Sequence, residues 1–240
     1  MTPVLRIFGD LDALSRGAAD ELVTIATDAI AARGACSIAL SGGSTPKRLF
    51  QVLATRALPW AQVDLWWGDE RTVPPDHTES NYRMARETLI DPLQLTRVHR
   101  IQGELEPEAA ARAYERELVD ALGDPPIFDL VLLGMGPDGH TASLFPDSPA
   151  LDDTSRWVVA NPVTSPLVPG GATTRITLTA RAINQARHIR FLVAGADKAP
   201  ALATVLGGPR DPRRYPSQLI SPVTGDLAWF VDDTAARSPQ

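Results

Sequence analysis

Apolar residues recur along the chain with two alternating periods. In "LDALSRGAADELVTIATDAIAARG" they fall at Leu14, Ala18, Leu22, Ile25 and Ala29, one stripe of a helix, with Gly34 as its stop. "CSIAL" follows as a short apolar strand. "SGGSTPKRLFQVLA" is a glycine turn running into a helix, with Thr45 suited to the N-cap and Pro46 to the first helical position. "VDLWWG" predicts the next strand, "SNYRMARETLI" a helix capped by Ser80, "VHRI" a short strand, and "EAAARAYERELVDALG" an amphipathic helix closed by Gly123. "FDLVLLG" is apolar at successive positions, as a strand covered on both faces must be. Strands are then expected at "RWVVA", "RITLT", "HIRFLVAG" and "LAWFVD", with helices at "ARAINQAR" and "KAPALATVLGG".

Such alternation argues for an α/β fold with a mainly parallel sheet. In open sheets of this kind the ligand sits beyond the carboxyl ends of the strands, so loops that follow strands are the places to look for chemistry. The loops "VPPDHTES", "NPVTSPLVPGGATT" and "GGPRDPRRYPSQ" are rich in Pro and Gly and read as connections, not as domain linkers. At 240 residues the chain fits one α/β domain spanning 1–240 better than two small ones.

Composition narrows the function. A net charge of -6 argues against nucleic acid as a partner, which needs a basic face, but leaves room for a small anionic substrate. No apolar run approaches the roughly 18 residues of a membrane span, and "MTPVLRIFGD" lacks a signal pattern. The single cysteine, Cys36, excludes an internal disulfide and a multi-cysteine metal site. A cytoplasmic protein with no membrane partner is expected.

"GMGPDG", after "FDLVLL", satisfies G-x-G-x-x-G, the dinucleotide fingerprint. Its context fails. Asp138 lies inside the turn, where it would repel a pyrophosphate. Pro146 and Pro149 come too soon for a long helix, and "RWVVA" ends without an acid for the ribose. What remains is a loop presenting Asp138 and His140 at the end of a buried strand, a pattern suited to a general base with a carboxylate to orient its ring. The other histidines, His77, His99 and His188, sit in a polar loop or at strand starts, where structural or solvated roles are expected.

"LSGGSTP" offers backbone N–H groups from Gly42, Gly43, Ser44 and Thr45 and hydroxyls from Ser41, Ser44 and Thr45, all at a helix N-terminus. That is the make-up of an anion site or of a well-capped turn. Lys198, Arg175 and Arg71 stand at expected strand–loop junctions of one sheet and could complete such a site. Asp69 in "WGDER" is a possible second acid or a hydrogen-bond partner for a substrate hydroxyl. There is no G-x-S-x-G elbow and no zinc-type histidine spacing, so water or a proton is the expected agent.

Four stretches, "LSGGSTP", "WWGDERTVPPDHTESNYRMARETL", "FDLVLLGMGPDGHTASLFP" and "RITLT…AGADKA", together resemble the 6-phosphogluconolactonase family, with the tail "YPSQLI" also in keeping. The resemblance implies a three-layer fold with helices on both faces of the sheet, like that of glucosamine-6-phosphate deaminases and ribose-5-phosphate isomerases. It implies hydrolysis of 6-phosphoglucono-δ-lactone, the second step of the oxidative pentose phosphate pathway, with no redox cofactor and no metal. It makes His140 the base that activates water and Asp138 its orienting partner or a ligand of the ring. Ser41, Gly42, Gly43, Ser44, Thr45, Lys198 and Arg175 would hold the phosphate. Arg71 would face the substrate, and Asp69 would occupy the position where the deaminases keep a proton-transfer acid. A small-molecule substrate and a monomer or weak homo-oligomer follow. Two departures from the family pattern are Asp147, where glycine is expected, and the glycine-rich "VPGGATT". Rival readings are an amino-sugar-phosphate deaminase or isomerase and a non-catalytic sugar-phosphate sensor. The deaminases carry Asp-Glu-Tyr where this chain has Asp69-Glu70-Arg71, which favours the hydrolase.

Overall fold

The computed structural model describes residues 4–237. Among the described residues nine strands form two sheets: β1 (Val4–Phe8), β2 (Cys36–Leu40), β3 (Val63–Trp67), β4 (Asp69–Arg71), β5 (Leu130–Gly134), β6 (Val158–Thr164), β7 (Ala172–Leu178), β8 (His188–Val193) and β9 (Asp226–Asp232). The helices are α1 (Leu11–Arg33), α2 (Ser44–Leu53), α3 (Asn81–Ala85), α4 (Asp91–Leu93), α5 (Pro107–Leu122), α6 (Ala180–Ile183), α7 (Ala199–Gly207) and α8 (Asp233–Ala236). A π-helical turn, Arg86–Ile90, joins α3 to α4.

The large sheet has six strands in the order β1-β9-β8-β5-β2-β3, and every neighbouring pair is parallel. Its central strands are buried, all five residues of β2 among them, which explains their predominantly apolar sequences. Helix α1 covers the face that carries Leu130, Leu132 and Phe230, through Ala18, Leu22 and Ile25. On the opposite face Tyr114 of α5 packs against Trp66, with ring centroids 5.9 Å apart. The layers are thus helix, sheet, helix, each burying one apolar surface.

The smaller sheet, β4-β7-β6, is antiparallel. It takes the "RWVVA" and "RITLT" segments out of the parallel sheet and carries Arg71 and Arg175 with it, so those two cations are not on the same sheet as Lys198. Gly68 is the corner between the sheets. Its N–H donates to Leu40 O of β2 (2.9 Å), and its carbonyl accepts from Leu178 N of β7 (2.8 Å). Pro162 is accommodated because β6 is an edge strand.

Several local expectations change. "VHRI" supplies only a bridge between Val98 and Leu65. Strands β1 and β4 were not expected. Ser80 caps α3, accepting from Arg83 N at 3.1 Å. Thr45, however, is not the N-cap of α2. Gly43 is, at φ 102, with no side-chain cap, and Pro46 is the third helical residue. Asp147 has φ 55, the left-handed conformation in which glycine is the usual occupant. No helix among the described residues is long and apolar enough to cross a membrane.

Candidate active site

The order β8-β5-β2-β3 in a parallel sheet brings four carboxyl-terminal loops to one edge. They surround a cavity of about 410 Å³ lined by Ser41, Gly42, Gly43, Ser44 and Thr45 after β2, by Asp69 and Arg71, by His140, Ser143 and Phe145 after β5, by Asp197 and Lys198 after β8, and by Asn81 and Arg175. Ten of the eleven residues singled out in the sequence therefore share one cavity. The eleventh, Asp138, lies behind His140 rather than on the wall.

The first functional loop is the entrance to α2. Gly42 passes so close to Asn81 that a Cβ there would stand 1.9 Å from Asn81 Oδ1. Gly43 takes φ 102, which a side chain would resist. No side chain caps α2, Pro46 has no N–H and Lys47 N–H donates to the Gly43 carbonyl, so the donors left to the cavity are the N–H groups of Ser44 and Thr45, where the helix dipole favours negative charge.

Two arginines add to this wall. Arg71 and Arg175 are direct cross-strand partners in β4 and β7. Arg175 is only 7% exposed, and its Nε has no hydrogen-bond partner among the described residues. Burial and the neighbouring Arg71 charge lower its pKa below the usual arginine value, against the pull of Asp69, Glu79 and Glu70. A buried guanidinium without a paired carboxylate is costly, and an anion in the cavity would relieve it. Arg71 Nη1 donates to the Glu79 carbonyl. Lys198 Nζ donates to Asp197 Oδ2 at 2.7 Å.

The second functional loop follows β5. Asp138 Oδ1 lies 2.6 Å from His140 Nδ1 and accepts the His140 backbone N–H at 3.1 Å. Burial alone would raise the Asp138 carboxyl, but the hydrogen bonds and charge of His140 outweigh it and hold the group below the usual aspartate value. An ionised carboxylate only accepts, so Nδ1 carries the proton and Nε2 of a neutral ring keeps its lone pair. The ring stacks on Phe145 at 4.1 Å. Behind it, a Cβ on Gly136 would stand 2.2 Å from the ring atoms Nδ1 and Cε1. Gly139, at φ 80, lies against Tyr215, and its carbonyl accepts from Ser217 N and Oγ at 3.0 and 2.9 Å. The ring is therefore fixed from three sides.

Sequence reasoning gave no role to Asn81 and Ser143. Asp69 Oδ2 accepts from Ser143 Oγ at 2.6 Å, and Asp69 Oδ1 from Asn81 Nδ2 at 3.3 Å. Asn81 is a small polar residue at the start of α3, in "SNYR", and Ser143 one within the loop after β5, in "HTAS". Glu70, next to Asp69, does not line the cavity and accepts the N–H groups of Asn81 and Tyr82 at the start of α3 and of Arg71 in β4. Burial raises its pKa in spite of those bonds. The remaining histidines are engaged elsewhere. His99 stacks on Trp66 between Asp64 and Glu117, His188 faces Asp226, and His77 accepts from Glu79 N.

This arrangement sets a histidine paired with a carboxylate beside a cation-rich wall of one cavity. The family model for glucosamine-6-phosphate isomerases/6-phosphogluconolactonase matches residues 9–229. A 6-phosphogluconolactonase of Synechocystis is 44% identical over 226 residues, 90% of each chain. The structure of a 6-phosphogluconolactonase from Trypanosoma cruzi superposes with a TM-score of 0.87 at 31% identity, covering 98% of this chain and 97% of that one. A monomeric glucosamine-6-phosphate deaminase, at 23% identity and a TM-score of 0.80, shares the fold over 97% of this chain and 98% of its own. The chain belongs to the glucosamine-6-phosphate isomerase/6-phosphogluconolactonase family.

Proposed function

We propose that this protein hydrolyses 6-phospho-D-glucono-1,5-lactone to 6-phospho-D-gluconate, as the second step of the oxidative pentose phosphate pathway, in the cytoplasm and without a cofactor. The observation that carries the reading is a His140–Asp138 pair opening onto the same cavity as the uncapped start of α2 and the buried Arg175. The SGGST loop, Lys198 and Arg175 hold the 6-phosphate, and Arg71 adds positive charge beside Arg175. His140 Nε2 takes a proton from water as the water oxygen bonds to the lactone carbonyl carbon. Asp138 stabilises the imidazolium that forms. The tetrahedral intermediate then collapses, the bond to the ring oxygen breaks, and that oxygen takes the proton back from His140. The new carboxylic acid loses its own proton to solvent.

A lactone reacts with water unaided, so the task is to position water and ring and to move one proton. No protein nucleophile is needed. The one cysteine fits this, since Cys36 is buried and burial pushes its thiol up to about 12. Phosphate contacts away from the carbonyl let binding energy fix the reactive pose.

The test is a coupled assay with freshly generated 6-phosphogluconolactone, corrected for spontaneous hydrolysis. Turnover far above background with no ammonia released from glucosamine 6-phosphate is expected. Ammonia release without lactone turnover would replace this reading with the deaminase.

A further inference from the structure

Asp69 sits where its two carboxylate oxygens reach different parts of the active site. Its Oδ2 accepts from Ser143, three residues beyond His140. Its Oδ1 and its backbone carbonyl accept from Asn81 Nδ2. Asn81 in turn lies against Gly42, the glycine of the anion loop, with no room for a Cβ between them. A continuous chain of contacts therefore runs from Gly42 through Asn81, Asp69 and Ser143 to the loop that bears His140.

Both ends of this chain are held. Asn81 is buried, and its N–H donates to Glu70 Oε1 at 2.8 Å. Ser143 is fully buried. Its N–H donates to Thr177 Oγ1 at 3.2 Å and its carbonyl accepts from Asn161 Nδ2 at 2.8 Å. With its backbone anchored on β6 and β7, Ser143 turns its hydroxyl to Asp69. At 2.6 Å this bond has the short length of an O–H donor on a carboxylate. These bonds fix both carboxylate oxygens of Asp69 against buried partners.

We infer that Asp69 is a positioning residue that couples the anion loop to the histidine loop, and that it does not transfer a proton in the reaction. Occupation of the anion loop is felt through Asn81 and Asp69 at Ser143, so phosphate binding sharpens the placement of His140. The inference rests on the proposed lactonase reaction for its kinetic expression but not for its physical one.

The kinetic test compares 6-phosphogluconolactone with D-glucono-1,5-lactone in the native protein, Asp69→Asn, Ser143→Ala and the double variant. Each single change is expected to cut the kcat ratio of phosphorylated to unphosphorylated lactone by about 10-fold, the scale of one lost bond to a charged group. The double variant should be no worse than the more severe single one. Both limbs of the pH–rate profile should persist in Asp69→Asn. Loss of one limb, or equal losses on the two lactones, would overturn the inference. A second readout needs no turnover: amide hydrogen exchange with and without saturating inorganic phosphate. In the native protein phosphate should slow exchange in both 42–47 and 139–145. In Ser143→Ala, the milder variant, it should slow only 42–47. Undiminished protection of 139–145 in that variant would refute the coupling. Absence of native preference for the phosphorylated lactone would instead count against the proposed function, and the exchange result would still decide the coupling.

Discussion

The loops after β2 and β5 begin alike and end differently. Both leave buried, neighbouring parallel strands, and both use a glycine at positive φ, Gly43 at 102° and Gly139 at 80°. The first carries no acid and runs at once into a ten-residue helix, so what it presents is backbone N–H and a helix dipole. The second holds Asp138 in its turn, places Ala142 at φ 47 and meets Pro146 before any helix can start, so what it presents is a side-chain pair. Glycine spacing is common to both. The charge inside the turn and the structure that follows it separate the proposed anion cradle from the proposed proton-transfer loop.

Variants on the two sides test that division. The largest effect belongs to His140→Ala. Its kcat on 6-phosphogluconolactone should fall by about 10²–10⁴-fold, the usual contribution of a general base, while 6-phosphogluconate still binds. An unchanged rate would remove the base assignment. Next is Gly136→Ala, which adds one methyl where the His140 ring and Asp138 now stand, 2.2 and 2.7 Å from the new carbon. A kcat loss of at least about 10-fold with little change in KM is expected, since general-base catalysis needs the ring in hydrogen-bond reach of water. A crystal structure of this variant that kept the Nδ1–Oδ1 bond, with native activity, would contradict it.

On the other side, Lys198→Ala should raise KM for the phosphorylated lactone by about 10-fold or more, as expected for losing a charge-assisted bond, and have less effect on D-glucono-1,5-lactone. Equal losses on both substrates would remove Lys198 from the phosphate site. The smallest effect is one of stability. Because the folded pKa of Asp138 lies below its unfolded value, its ionised form stabilises the fold above about pH 4, and that gain disappears as pH falls through the folded value. The Tm difference between the native protein and Asp138→Asn should be widest near neutral pH and shrink toward pH 3. A gap that widened in acid would reverse the assigned direction.

Five strands of the large sheet, β2, β3, β5, β8 and β9, could be read from the sequence because they are predominantly apolar and the helices between them carry regular stripes. β4 could not: Asp69, Glu70 and Arg71 form a three-residue strand of charged side chains, fixed by pairing with β7 and by no periodicity of their own. β1 was passed over because it is an edge strand with four of its five residues exposed. The Thr45 expectation weighed capping propensity, whereas Gly43 takes the N-cap position through its backbone conformation, leaving the Ser44 and Thr45 N–H groups without a side-chain cap. Candidate residues were found where they stood beside glycine turns. Asn81 and Ser143 were not, because their importance lies in contacts between segments 12 and 74 residues from Asp69 in the chain.

Gly68 has a consequence for how the protein opens. Its amide and carbonyl are shared between the two sheets, and residues 63–71 run through both without a break. Local unfolding proceeds in contiguous cooperative units. A β4-β7-β6 unit that peeled away would break the hydrogen bond from Leu178 to Gly68 and remove Arg71 and Arg175 from the cavity in the same event. The cavity's cationic wall therefore lasts only as long as this joint stays closed, although Gly68 itself is not part of the cavity lining.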